Sequence, residues 1–195
     1  MNNALANNKK YVQLLATGKE LFWKHGFKKV TIEEICKKAG VSKVTYYRYF
    51  QNKIELAKLV VDQVIDQGVA DFKMIMEEKT TATEKIKKMI LMKAEGTNDI
   101  SVDFLQDFYN NPELGLSSYI EEKTALAWQT VIKVFKIAQE KGLFRKDFKP
   151  EFLFMLSQKM IDLTSDKNLL QLYRSPQDLI LEMTNMITYG ILPHE

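Results

Sequence analysis

Apolar side chains recur at intervals of three and four along this chain, and no stretch alternates as a strand would. Leu14, Leu15, Gly18, Leu21 and Phe22 form a first helical stripe, which ends at Gly26. Ile32, Ile35, Cys36 and Ala39 form a second, with Glu33, Lys37 and Lys38 on its wet side. Tyr46 and Phe50, four apart, share one face of a third short helix and meet Val41 in a small core. Asn52 and Lys53 begin a fourth helix that runs without proline to about Glu78. Turn-forming clusters then fall at 80–83, 96–99, 110–112, 142–150 and 175–176, leaving five further helical segments. The pattern predicts an all-α chain of about nine helices.

The punctuation between 31 and 50 is the most specific part. Thr31 and Glu34 form a capping box: the hydroxyl accepts the amide of residue 34, and the carboxylate reaches back to the amide of residue 31. Gly40 stops that helix, because glycine enters the left-handed region without a side-chain penalty, and Ser42 caps the next. With Tyr46 and Phe50 turned inward, Lys43, Val44, Tyr47 and Arg48 are left on the outer face, flanked by Thr45 and Tyr49. Such a face offers donors for phosphates and base edges, and apolar surface for thymine methyls.

The segment LLATGKELFWKHGFKKVTIEEICKKAGVSKVTYYRYFQNKIEL, Leu14 to Leu56, resembles the DNA-binding domain of the TetR family of bacterial transcription regulators. The resemblance rests on Leu21-Phe22 before Gly26-Phe27, the threonine at 31, Ala-Gly-Val-Ser at 39–42, and Tyr-x-x-Phe followed by lysine. Two positions depart from the family pattern: Val44 stands where many members carry glycine, and Tyr46 where leucine is commoner. The resemblance implies a three-helix DNA-binding domain at 8–68, with its helix-turn-helix at 31–50, and a helical ligand-binding and dimerisation domain at 69–195. Carried over position by position, it also implies that Lys43, Val44, Thr45 and Arg48 read bases. Thr31, Ser42, Tyr47, Tyr49 and Lys53 hold phosphates, and the start of the fourth helix adds an anion site.

Charge supports the division. The chain has 195 residues and a net charge of +3, yet residues 1–59 hold 12 Lys+Arg against 4 Asp+Glu, and the remainder 16 against 21. Only the amino-terminal part is attracted to a polyanion. The single cysteine, Cys36, sits at an apolar position and reads as a small buried hydrophobe, with a redox switch as the alternative. The polar start MNNALANNKK and the absence of an apolar run near the roughly 18 residues that span a bilayer predict a cytoplasmic protein.

The later segments carry fewer signals. Pro150 to Leu172 and Pro176 to Leu192 are apolar around more than one side, as Phe152–Leu156 and Leu179–Leu181 show. By the resemblance, the second apolar side meets a partner subunit through Phe154, Leu181, Met183 and Ile187. Met89, Met92, Phe104, Phe108, Trp128 and Met155 either line an adaptable pocket for a lipophilic effector or form ordinary core. Asp103, Asp107, Glu121, Glu122 and Asp162 either favour a cationic ligand or are solvated. Gly18 predicts close helix packing, and Gly68 is either a packing glycine or a flexible point.

Catalytic chemistry finds no constellation. His25 and His194 lie at a turn and the tail, no CxxC, HExxH, GxGxxG or GxxxxGK motif occurs, and Glu121-Glu122 point about 100° apart on a helix. No enzyme, cofactor or metal site is expected. The expected function is a homodimeric repressor on a palindromic double-stranded DNA operator, released by a small-molecule effector. Two alternatives stand beside it: a TetR-like activator or protein-responsive regulator, and a helical interaction protein that has lost DNA binding.

Overall fold

A computed structural model describes residues 8–164 and 166–193, leaving residues 1–7, 165, 194 and 195 outside the description, His194 among them. The described residues form ten α-helices: α1 Lys9–Lys29, α2 Ile32–Ala39, α3 Lys43–Tyr47, α4 Lys53–Glu77, α5 Ala82–Gly96, α6 Val102–Tyr109, α7 Leu116–Glu140, α8 Pro150–Leu163, α9 Lys167–Leu170 and α10 Pro176–Gly190. A 3₁₀ turn, Pro112–Leu114, precedes α7. The fold is all-α, as the periodicity predicts. One expected segment, Pro150 to Leu172, is divided: α8 ends where the Thr164 amide and hydroxyl turn back onto the carbonyls of Met160 and Ile161.

Local capping accounts for most helix starts. Side-chain oxygens of Asn8, Thr31, Ser42, Thr81, Ser101 and Ser175 accept backbone amides at the starts of α1, α2, α3, α5, α6 and α10. The Asn52 side chain takes the amide of Glu55 at 2.9 Å in the first turn of α4.

The chain divides into two compact units. The amino-terminal unit extends to Gln63 and includes Asp99–Ile120; the other comprises Val64–Asn98 and the chain from Glu121 onward. A single cut at residue 68 therefore does not separate them, because α6 belongs with the first helix. Phe104 and Phe108 pack with Phe22, Trp23 and Phe27; Trp23 and Phe104 have centroids 4.3 Å apart. Gly26 makes this approach possible. It breaks α1 at φ 75°, and a Cβ there would lie 2.8 Å from Asp107 Oδ2 and 2.9 Å from the Asp103 carbonyl. Asp107 is buried and accepts the Lys28 amide at 2.8 Å, while Asp103 pairs with Lys29 at 2.6 Å. These two carboxylates thus serve the fold of the first unit.

Two further glycines separate cleanly. Gly18 meets Leu56 on α4, where an added Cβ would come within 3.1 Å, as close packing predicts. At Gly68 an added Cβ would meet nothing within 4 Å, so no neighbour within the described chain requires a glycine there.

The carboxy-terminal unit is built on Phe72, Ile86, Phe135, Ala138, Phe144, Phe148, Leu153 and Ile191. Buried Gln139 ties the connection after α7 by donating to the carbonyls of Arg145 and Phe148 at 2.8 and 2.9 Å.

Candidate nucleic-acid interface

The five-residue α3 is too short to persist on its own, so its neighbours hold it in place. Tyr46 is fully buried, 5.2 Å from the Phe50 ring, and its hydroxyl donates to the Asn52 carbonyl at 3.2 Å. Burial pushes the Tyr46 phenol above its ordinary pKa, keeping that proton in place. Tyr46 is thus a packing variant of the leucine commoner at this position. Ser42 Oγ accepts the Thr45 amide at 3.1 Å and lies 3.0 Å from the Thr45 hydroxyl. Gly40, at φ 64°, directs its amide to the carbonyls of Cys36 and Lys37 and sets the turn between α2 and α3.

With Tyr46 buried, α3 turns the expected face outward. Val44 is 67% and Tyr47 56% exposed, and Ser42, Lys43 and Arg48 are exposed beside them. Thr45 and Tyr49 are half-buried. Tyr49 packs edge-on against Tyr11 at 5.6 Å, and Tyr11 stacks on Phe50 at 5.4 Å, so α1 buttresses the end of this segment. Thr31 is exposed but its hydroxyl is occupied, accepting the Glu34 amide at 3.2 Å and donating to Glu34 Oε2 at 2.9 Å.

Two features were not readable from spacing. Lys43 pairs with Glu33 across the turn, and that contact lowers the Glu33 carboxyl and raises the Lys43 ammonium. Both are solvent-exposed, so the pair steers Lys43 more than it stabilises the fold. Lys53 does not stand free at the head of α4. Its ammonium donates to the carbonyls of Phe27 and Val30, both at 2.6 Å, and lies 4.2 Å from the Phe27 ring centroid. Burial lowers its pKa, with Asp107 and Glu34 opposing the shift. Lys53 therefore ties α4 to the end of α1, and two of its three donors are spent there. Both contacts join residues ten or more apart, beyond the reach of helical periodicity.

Cys36 is buried and its thiol raised, chiefly by burial, in keeping with a small hydrophobe. Among the described residues no group of His, Cys, Asp and Glu is arranged to hold a metal, and no helix is long and apolar enough to cross a membrane.

The residues expected in an effector pocket do not assemble together. Phe104 and Phe108 are core of the amino-terminal unit, because α6 packs on α1, and Met155 is 65% exposed. Met89, Met92 and Trp128 pack, partly buried, around the core of the other unit. Of the expected interface residues, Phe154, Leu181, Met183 and Ile187 are all half-buried, and Phe154 lies 5.6 Å from the Trp128 ring.

Known proteins share this arrangement. The family model of bacterial regulatory proteins of the tetR family matches residues 14–60, which span α2, α3 and the turn between them. The chain is 24% identical over 189 residues to an uncharacterized HTH-type transcriptional regulator, YdgC, of Bacillus subtilis (strain 168), covering 93% of this chain and 92% of that protein. It is 30% identical over 81 residues to a fatty acid metabolism regulator protein of the same organism, covering 42% of each. Its fold matches that of the fatty acid degradation regulator FadR from Bacillus halodurans with a TM-score of 0.70 at 20% identity, over 97% of this chain and 99% of that one. Residues 14–60 thus form a tetR-family helix-turn-helix region, and over nearly its whole length the chain resembles HTH-type transcriptional regulators in sequence and in fold.

Proposed function

We propose that the protein is a homodimeric repressor that holds a palindromic operator and leaves it when a small-molecule effector binds. The observation that carries this reading is the outward face of α3, where Lys43, Val44, Thr45 and Arg48 stand clear of the buried Tyr46. In this reading those four read base edges, while Ser42, Tyr47 and Tyr49 meet phosphates and Thr31 presents the start of α2 to the backbone. Lys53 leaves the phosphate set, since its ammonium is engaged with Phe27 and Val30.

The dimer reading draws on apolar side chains left in water. Phe152 and Met155 on α8 are 59% and 65% exposed, and Met186 on α10 is 73% exposed. Exposed apolar side chains of this kind can mark an interface, and a two-fold pair would present two α3 helices to half-sites one DNA turn apart. The effector reading draws on Met89, Met92 and Trp128, adaptable side chains around the core of the carboxy-terminal unit. Relatives named as fatty acid regulators agree with a lipophilic effector. An effector that tilts α4 changes the spacing of the two α3 helices. Operator and effector then weaken each other's binding by one common factor.

Selection of duplexes from a random library at near-physiological salt tests the core of the reading. An inverted repeat is the expected product. Binding without sequence preference would sink it. With the repeat in hand, Arg48→Ala should relax preference at particular positions and Tyr47→Ala should weaken all sequences alike. Leu181→Glu should yield monomers by light scattering, and an intact dimer would place the interface elsewhere.

A further inference from the structure

The carboxy-terminal unit contains a half-open cavity of ≈ 580 Å³ at the last turn of α4, bounded by the start of α5 and the second half of α7. Its volume is in the range of small-molecule sites. None of the residues singled out from the sequence as pocket candidates lines it. Its floor is apolar, formed by Met76, Val134, Ile137 and Leu143, and Ile137 remains 49% exposed. Its rim is cationic: Lys73, Lys79 and Lys141 are exposed, and none of the three is ion-paired among the described residues.

A fourth lysine lies behind the rim. Lys85 is 1% exposed and gives its three protons to the carbonyls of Ile75, Met76 and Glu78, at 2.7, 3.0 and 2.6 Å. It thereby satisfies carbonyls that the end of α4 leaves without helical partners. Burial lowers the Lys85 pKa and at the same time removes the water that would screen its ammonium, which the three carbonyls hold. Four lysines line the cavity against Glu77 and Glu78, and the Glu78 carboxylate is already drawn to Lys88. Over the whole of this unit, by contrast, sixteen basic side chains balance sixteen acidic ones. The positive excess is local to the cavity.

We propose that this cavity binds an amphiphilic organic anion, its apolar body on Ile137, Met76 and Leu143 and its charged group among Lys73, Lys79 and Lys141. Such a ligand rests against the residues that end α4, the helix whose first residue, Lys53, follows the α3 segment in the chain. Occupancy therefore loads one end of a continuous helix. The link to operator release rests on the repressor reading above; the binding site does not.

The test is isothermal titration of the full chain, without DNA, with three probes: n-octyl phosphate, n-octanol and inorganic phosphate. Saturable binding of n-octyl phosphate is expected, at least about tenfold tighter than either fragment, because charge and apolar contact act together. The double variant Lys79→Glu, Lys141→Glu should weaken n-octyl phosphate about tenfold and leave n-octanol unchanged, and both positions are exposed, so folding is preserved. Ile137→Asp should weaken n-octyl phosphate and n-octanol together. Equal binding of n-octanol and n-octyl phosphate, no saturable binding of n-octyl phosphate, or indifference to the double charge reversal would each overturn the proposal. Operator release is measured separately: a filled site without release removes the effector role and keeps the site, whereas release in the double variant assigns the effector to another pocket.

Discussion

The two units bury their apolar residues to very different extents. Among the described residues, twenty-one of the thirty-two buried hydrophobics belong to the amino-terminal unit and eleven to the carboxy-terminal one, although the latter is the longer. Of the fourteen large hydrophobics exposed among the described residues, four belong to the first unit and ten to the second. Two of the four, Val44 and Tyr47, are on the outward face of α3. The first unit completes its core from its own chain, and half of the large apolar side chains it exposes lie on the α3 face proposed to meet DNA. The second leaves Phe152, Met155, Leu172 and Met186 in water, which fits a unit whose remaining burial comes from other molecules.

If the first unit is self-sufficient, emptying its core should cost far more than trimming the exposed apolar face of the second. Phe108→Ala removes a fully buried ring that touches Phe22, Trp23, Phe27 and Phe104, and should destabilise that unit by about 3–5 kcal/mol. Met155→Ala, at a side chain 65% exposed, should change the stability of the isolated chain by no more than about 0.5 kcal/mol. Urea titration at a concentration low enough to keep the chain monomeric compares the two, and similar midpoints would break the distinction between a sealed and an open core.

Gly26→Ala probes how the first unit is sealed. The added methyl meets backbone at Asp103 and the buried carboxylate of Asp107, and the residue must also hold φ 75°. A loss of about 2–3 kcal/mol is expected. Amide exchange should quicken in α6 and the end of α1, while α8 and α10 stay protected; uniform loss throughout would mean that the two units unfold as one.

A smaller effect tests whether the local signals that make the first unit legible also stabilise it. Thr31→Ala deletes the capping hydroxyl and should cost about 1 kcal/mol at neutral pH. The effect should depend on pH. Bonds from Thr31, the backbone amide first and then the hydroxyl, hold the Glu34 carboxyl below its ordinary 4.5. A carboxyl lowered in the folded state stabilises the fold fully above 4.5, and that contribution is lost as pH falls through the lower folded value. The gap between wild type and Thr31→Ala should therefore narrow in acid, as thermal melts between pH 3 and 7 would show.

The same contrast explains what was legible in the sequence. The capping box at Thr31, the left-handed Gly40 and the cap at Ser42 act within four residues, so the helix-turn-helix and its outward face could be read directly. Contacts over long separations could not. Lys53 reaches back 23 and 26 residues to its carbonyls, and Asp107 accepts an amide 79 residues away. Helical spacing left Phe104 and Phe108 as pocket or ordinary core without saying which helix would cover them, and covering by α1 makes them core of the amino-terminal unit. The cationic cavity escaped for the same reason, since Lys73 and Lys85 come from α4 and α5 and Lys141 from the turn after α7.

The smallest effect concerns α4, which supplies residues to both units, and it bears on whether glycine there is a constraint or a freedom. Gly68 lies in the helix interior, and an added Cβ would meet nothing within 4 Å. Alanine should therefore stabilise the chain by about 0.5–1 kcal/mol, through helix propensity alone. For a protein of this length that raises Tm by roughly 1–4 °C. A fall in Tm instead would mean that the space beside Gly68 is filled in solution, and a fall that appears only at concentrations where the chain dimerises would assign that space to a second copy. Suppose Tm rises and effector-driven release from the operator weakens as well. The glycine then retains a less stable helix so that α4 can yield at its middle, and the flexible point is what the sequence preserves there.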